Sequence, residues 1–415
     1  MPQISRMTQA QRLLVLFTSI NMLNYLDRYV VAAVLEPMGR ELHLTDGQLG
    51  TLPFVFVVVY MVAAPVFGWL ADRHARPRLV AFGVGLWSLA TVGAAFVHSY
   101  PALLATRSLV GVGEAAYATL GPAILSDVIP EDDRAAKFTW FYLAIPVGSA
   151  FGYGLGGLVA QAWGWRAAFL VAGLPGLFFA ARMLRLADPP RGRMDKVHDL
   201  DAAAPLSERL KAIVANRVWL ACTASYVAYT FAMGALSHWG PTLLQRRFAV
   251  STGTAGTVFG GIAVVTGILG TFAGGTLTGK LQSRWPDAGV WLSALTLLLA
   301  APVTAWALHA GSLALAYGLF FASMLLLFVN TSPVNALTVS SLPASVRATG
   351  VAMNVFLIHF LGDAISPELA GRRSEAALAA GMSHGDALAA GMSVAIPAIL
   401  VAGLVLLAAR RSRTA

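Results

Sequence analysis

The sequence predicts an all-α membrane protein: twelve transmembrane helices in two pseudo-symmetric six-helix bundles, with N- and C-termini cytoplasmic. Three observations predict it: the composition, the number of apolar segments and an internal repeat. Of 415 residues, 57% are hydrophobic and only 12% charged, and the mean hydropathy is +0.69. A soluble chain carries about twice that charge. Apolar segments of bilayer-spanning length run over 12–39, 47–71, 78–98, 101–127, 134–160, 166–186, 216–245, 252–281, 289–309, 312–342, 345–367 and 386–409. The repeat is carried by two matches in the same order. Gly68, Leu70 and Arg73 of GWLADR recur as Gly275, Leu277 and Lys280 of GTLTGK, an offset of 207. Pro130 and Arg134 of PEDDR recur as Pro343 and Arg347 of PASVR, an offset of 213. A drift of six residues fits duplication with a small insertion, and a repeat of six spans is a familiar plan for secondary transporters.

Residues 1 to 11 are short and polar, and the first span contains Asp27 and Arg28 without a small-residue cleavage site, so an uncleaved first helix is expected. The longest hydrophilic interval, 187–215, divides the chain into an N-terminal bundle over 1–186 and a C-terminal bundle over 216–415. Within it, LSERLKAIV reads either as a short interfacial helix or as plain linker. Lys and Arg are retained on the cytoplasmic side of short loops. With the N-terminus inside, 21 of the 29 basic residues fall on cytoplasmic segments, six fall outside, and Arg28 and Arg107 lie within spans. The net charge of +9 is therefore topological. A nucleic-acid partner is excluded, because membrane spans separate the charges. Glycines such as those of GYGLGG at 152–157 suit close helix packing. The single cysteine, Cys222, reads as a small core residue.

Charge inside the spans is the strongest functional signal. In RSLVGVGEAAYATLGPAILSD, residues 107–127, Arg107 and Glu114 interrupt an apolar run. Seven residues bring them back to nearly the same azimuth, about 10.5 Å apart along a helix. Intramembrane charges face a water-filled cavity, pair with one another and mark transport pathways. Asn21, Asn24 and Asp27 recur at steps of three, a polar stripe on one face of the first helix. Burial favours the protonated form of such a carboxyl and a neighbouring guanidinium favours the ionised form, so movement of Arg107 would switch Asp27 or Glu114 between states. Arg28, rotated by about 100° from Asp27, is assigned to packing or the periphery.

The loop GWLADRHARPR resembles the signature of the major facilitator superfamily. Gly68 is expected to permit close packing and Asp72 to face a helix N-terminus. Arg73 is expected to pair with Asp127, with Arg76 and Arg134 completing a cytoplasmic latch that opens and closes. For Arg76, topology alone is an equal reading, and Gly279 replaces the acid in the second half. Four further stretches, NYLDRYVVAAVLEPM at 24–38, residues 107–127, FYLAIPVGSAFGYGLGG at 141–157 and HFLGDAISP at 359–367, resemble the Spinster family. That resemblance implies proton-linked transport of sphingolipids or lysophospholipids, with Asp27, Arg107 and Glu114 at the family's charged positions.

In the second half, Tyr226, Tyr229, Asn330 and Asn335 are expected to line the cargo site, with polar groups among aromatics suiting an amphiphile. Trp239 is assigned to the membrane boundary. His359, Asp363 and Ser366 share a helical face, which leaves a titratable pair, an interhelical lock or a remote intramembrane hydrolase open. A phosphate-cradling glycine-lysine loop and metal-ligand spacing are both absent from the sequence, so no cofactor is expected beyond a proton gradient. The expected protein is a monomeric, non-enzymatic transporter in a bacterial inner membrane, exchanging an amphiphilic lipid with the bilayer. A transporter of small anionic metabolites is the alternative.

Overall fold

The computed structural model describes residues 8–192, 194 and 205–411, all of which are helix, turn or irregular. The basic residues Arg6, Arg193, Lys196 and Arg413, and part of the interval 187–215, lie outside the described residues. Eleven helical stretches among the described residues are long and apolar enough to cross a membrane. Helix α1, Gln9–Glu41, is 33 residues long but is not one of the eleven. Its stripe of Asn21, Asn24, Asp27 and Arg28 dilutes its apolarity.

The chain divides into two compact units. The first comprises Met1–Met38, Val55–Leu200 and Thr252–Thr257, and the second Gly39–Phe54, Asp201–Ser251 and Val258–Ala415. The C-terminal end of α1 and the N-terminal end of α2, Asp46–Ala71, thus belong to the second unit although their remaining turns belong to the first.

Small residues set the spacing in the first unit. On α5, Glu131–Trp163, the glycines 148, 152 and 156 recur every four residues and so form one face. A Cβ at Gly152 would come 2.6 Å from the Leu26 carbonyl oxygen of α1, and one at Gly156 would come 2.7 Å from Val30 Cγ2. At Gly148 a Cβ would collide with the Met22 carbonyl oxygen. This run lets the α5 backbone lie against the α1 turns that carry Asn24 and Asp27. Helix α4, Tyr100–Ser126, approaches α3, Arg76–Ala94, at Gly113, where a side chain would strike the Gly83 carbonyl oxygen. Tyr117 of α4 then donates to the Phe17 carbonyl at 2.6 Å and meets Trp87 edge-on at 5.8 Å. Together these contacts fix α1, α3 and α4 around the buried charges.

In the second unit, α7, Leu206–Ala215, is helical, and its Ile213 is buried with Trp219, Leu342 and Val346. Among the described residues three spans are interrupted, one of them at residues 393–394 and the other two as follows. Asn330 separates α11, Leu313–Val329, from α12, Thr331–Ser340, and its Nδ2 donates to the Leu327 carbonyl. Pro333 comes three residues later, lacking the N–H that would continue the ladder. Farther on, α13, Ala344–Leu357, passes through a π turn, Ile358–Asp363, into α14, Ile365–Ala379. The sequence repeat also has a structural counterpart. Pro130 and Pro343 both precede helices, and Arg134 and Arg347 each donate to the carbonyl five residues back, Ile129 at 3.2 Å and Leu342 at 3.2 Å.

Candidate functional site

The charged centre of the first unit is assembled from α1 and α4. Glu114, fully buried, sits one residue from the middle of its span and accepts from Arg28 Nε at 2.6 Å. Arg28 is not peripheral. Its guanidinium carbon lies 5.2 Å from the Tyr25 ring centroid, 5.0 Å from Phe56 and 5.3 Å from Tyr60. The rings form an aromatic cage that lets a cation leave water. The helical rotation away from Asp27 is real, but it aims Arg28 at Glu114. Asp27, 1% exposed, accepts from Thr91 Oγ1 at 2.8 Å and feels the charges of Arg107 and Arg28. Arg107, 3% exposed, lies over the Phe169 ring at 5.4 Å. Asn21 donates to the Phe141 carbonyl at 3.0 Å, and Asn24 lies beside Glu114.

Two acids and two arginines are thus brought together, neutral in sum when all are ionised. Asp27 Oδ1, Glu114 Oε1, Asn24 Nδ2 and Arg107 Nε and Nη2 are buried without a hydrogen-bond partner. Buried polar groups are nearly always paired. A cluster with so much unfilled capacity can take up protons, water and an anionic head group, and in low dielectric each change of protonation alters its neighbours' pairing strongly.

In the second unit, Tyr226 and Tyr229 stack at 5.2 Å, and Asn335 Nδ2 donates to Tyr226 Oη at 3.2 Å. Asn330 is buried at the break, with Oδ1 unpartnered. Trp239 is not a boundary anchor. It is fully buried and donates to the Pro367 carbonyl at 2.9 Å. His359 Nδ1 and Asp363 Oδ2 pair at 2.9 Å. Ser366 does not join them: its hydroxyl is buried without a partner, against Gly234. The three do not share a face, because the π turn inserts a residue and rotates the next helical turn by about 100°. No nucleophile, base and orienter are therefore linked. Among the described residues no group of three or more His, Cys, Asp and Glu could hold a metal ion.

Comparison with known proteins adds the family. The Major Facilitator Superfamily model matches residues 17–367. Protein spinster of Drosophila melanogaster is 36% identical over 368 residues, 86% of this chain and 60% of the fly protein. Protein spinster homolog 3 of Danio rerio is 34% identical over 374 residues, 86% of this chain and 75% of that protein. This chain belongs to the Spinster family of the major facilitator superfamily. A crystal structure of a bacterial homologue of the human lysosomal transporter Spinster, inward-facing and unoccupied, superposes with a TM-score of 0.83 at 24% identity, covering 96% of this chain and 95% of that one. The fold is therefore that of a multi-pass membrane transporter.

In this Spinster protein the loop after α2 is wired differently from the expected latch. Asp127 does pair with an arginine of GWLADRHARPR, but with Arg76, at 2.5 Å. Arg73 instead lies over its own neighbour Trp69 at 4.1 Å and donates to the Trp69 carbonyl. It sits just past the last turn of α2. Arg76 also binds Asp188 at 2.9 Å and the Pro189 carbonyl at 2.7 Å, and Gly192 N donates to Asp127 at 2.8 Å. The start of the interval after α6, Trp165–Leu184, therefore closes the charge network. Asp72 is largely exposed, with Arg191 at 3.4 Å, and Gly68 has open space where a Cβ would stand, so it serves no close packing. Arg134 donates to the Ser126 carbonyl at 2.6 Å, satisfying the end of α4.

Sequence reasoning missed a second Spinster ion-pair site, which lies in the second unit. Arg246, in the last turn of α8, Arg217–Phe248, grips Asp46 through two bonds of 2.8 Å. Ser374 Oγ donates to Asp46 at 2.6 Å, and Gly47 N donates to Glu375 at 3.0 Å. His238 Nε2 lies 3.2 Å from the Leu49 carbonyl. Backbones meet here too, since Gly371 lies against the Asp46 carbonyl and a Cβ at Gly50 would strike Pro367 O. Nothing in the sequence links positions 200 residues apart. The only signal is local: an acid opening a helix and a base closing one, both favourable to the helix dipole.

Proposed function

We propose that this Spinster protein is a proton-coupled secondary transporter that moves an amphiphilic lipid of lysophospholipid or sphingoid type by alternating access. The observation that carries the reading is the buried Arg28–Glu114 pair beside Asp27 and Arg107, with five polar atoms of that cluster unpartnered. Proton uptake by Glu114 or Asp27 would weaken its hold on an arginine and free that guanidinium for an anionic head group. Arg107, already short of acceptors, is the arginine proposed to alternate between carboxylate and cargo. The aromatic surroundings of Arg28 suit an acyl or sphingoid chain.

The finer assignments rest on the same reading. They are twelve spans counting α1, both termini cytoplasmic, a monomer in a bacterial inner membrane, no cofactor, and a cytoplasmic latch built on Arg76 and Asp127. The test is binding and transport of a panel of lysophospholipids, sphingoid phosphates and small carboxylates by the full chain in proteoliposomes. Saturable binding of the lipids, competed by one another and weakened by Arg107→Ala, is expected. Binding confined to small carboxylates would replace the lipid reading with that of an anion transporter, which the unpaired Arg107 guanidinium would serve equally well.

A further inference from the structure

The π turn of the second unit places an ionisable pair where a membrane helix tolerates none without a purpose. Asp363 lies one residue from the middle of the span Thr349–Ala379, and His359 lies five. Their side chains are 35% and 39% exposed. A carboxylate at bilayer depth costs about 3 kcal/mol or more against hydrocarbon. A position of this kind is expected to face a water-filled cavity and not lipid.

The turn is also held in place. Thr230 Oγ1 of α8 donates to the Ile358 carbonyl at 2.8 Å, and a Cβ at Gly362 would strike the same hydroxyl. Ala364 N donates to the His359 carbonyl at 3.1 Å, the five-residue bond that defines the bulge. A carboxylate only accepts, so His359 Nδ1 must carry the hydrogen it shares with Asp363, at 2.9 Å and 3.2 Å from the two oxygens. That bond fixes the tautomer and leaves Nε2 as the basic nitrogen.

Among the described residues, no other charged group bonds to the pair. On α8, His238 is engaged with Leu49, Tyr226 with Asn335, and Tyr229 stacks on Tyr226. On α13, Arg347 donates to the Leu342 carbonyl. On α14, Glu368 pairs with Arg372 at 2.6 Å and Glu375 accepts from Gly47, with Arg373 more than two turns beyond Asp363.

We propose that His359 and Asp363 form a second proton-binding site, separate from the Asp27 and Glu114 centre. A proton from water adds to His359 Nε2, the Nδ1–H bond to Asp363 is kept, and the pair passes from one negative charge to neutral. The proposal rests on the proton-coupled reading above and extends it to a second carrier in the other unit. Bulges of this kind recur at functional sites, and here the bulge turns Ser366 into α8 while leaving the pair partly exposed.

The test is nitrogen NMR of the full chain in lipid nanodiscs with labelled histidine, from pH 5 to pH 8.5. The chain has eight histidines, so the His359 signal is the one missing from His359→Gln. Nδ1–H is expected as its neutral tautomer, with Nε2 the nitrogen whose signal moves when the proton is taken up. In Asp363→Asn the midpoint should move and the tautomer preference should be lost. A His359 signal that stays constant, or behaves alike in Asp363→Asn, overturns the proposal. This readout needs no cargo, so its failure is distinct from failure of lipid transport. In proteoliposomes loaded with fluorescent lysophosphatidylcholine, the dependence of uptake rate on pH should flatten at least twofold in His359→Gln. An unchanged pH profile there also counts against the site. If His359→Gln does not fold, Asp363→Asn carries both measurements.

Discussion

Asp27 and Arg28 are neighbours in the chain and yet serve different partners. Asp27 rests on Thr91 and Arg28 on Glu114. Because Glu114 is fully buried, removing its cation leaves a charge in low dielectric, which typically costs about 3–5 kcal/mol. Arg28→Met is therefore expected to lower the thermal stability of the purified protein strongly, and Arg28→Met combined with Glu114→Gln to recover most of the loss. A double variant as unstable as the single one would show that packing, not the pairing, dominates. Arg107→Lys is expected to weaken binding of an anionic lysophospholipid at least tenfold, about 1.4 kcal/mol, because lysine lacks the planar two-pronged donor that matches phosphate. Titration calorimetry checks it. The identity of these residues is legible in the sequence, since a charge in an apolar run announces itself. The pairing is not. A helical wheel gives the direction of a Cβ, whereas Arg28 and Arg73 carry long side chains whose ends are decided by what lies nearby, Glu114 for one and Trp69 for the other.

At the scale of elements, the apolar spans and the loop motifs that recur along the chain are legible because apolar length and motif repetition are one-dimensional signals. The breaks within spans are less so. Pro333 marks the one after Asn330, but no residue type encodes the π turn at Ile358–Asp363, which is held by Thr230 more than a hundred residues earlier. It defeats the helical spacing that put Ser366 with His359. The glycine row of α5 is both legible and structural. Gly152→Val is expected to push α5 off Leu26 and destabilise by about 1–3 kcal/mol, as overpacking does. A thermal unfolding curve unchanged from the wild type would contradict the close approach. The Asp46–Arg246 pair invites a parallel experiment. Both groups are almost fully buried, so Asp46→Ala strands Arg246 and is expected to cost about 3–5 kcal/mol. Asp46→Asn, which keeps an acceptor for Ser374 and Arg246, is expected to cost less. Equal losses would mean that the ionic character of the bond is irrelevant.

At the scale of the whole molecule, three of the ionic groups among the described residues bear on transport. The Arg76–Asp127–Asp188 network lies beside the loop after α2, the Asp46–Arg246 pair lies where α2 begins, and the carboxylate and arginine cluster lies midway along α1 and α4. A transporter that alternates must make and break contacts at its ends while changing charge at its centre. The most direct test of that account is pH-gradient-driven uptake of fluorescent lysophosphatidylcholine into proteoliposomes, comparing wild type with Glu114→Gln and measuring lipid exchange without a gradient in parallel. The account predicts that Glu114→Gln loses gradient-driven accumulation by at least tenfold and keeps exchange. Normal accumulation by Glu114→Gln would contradict it.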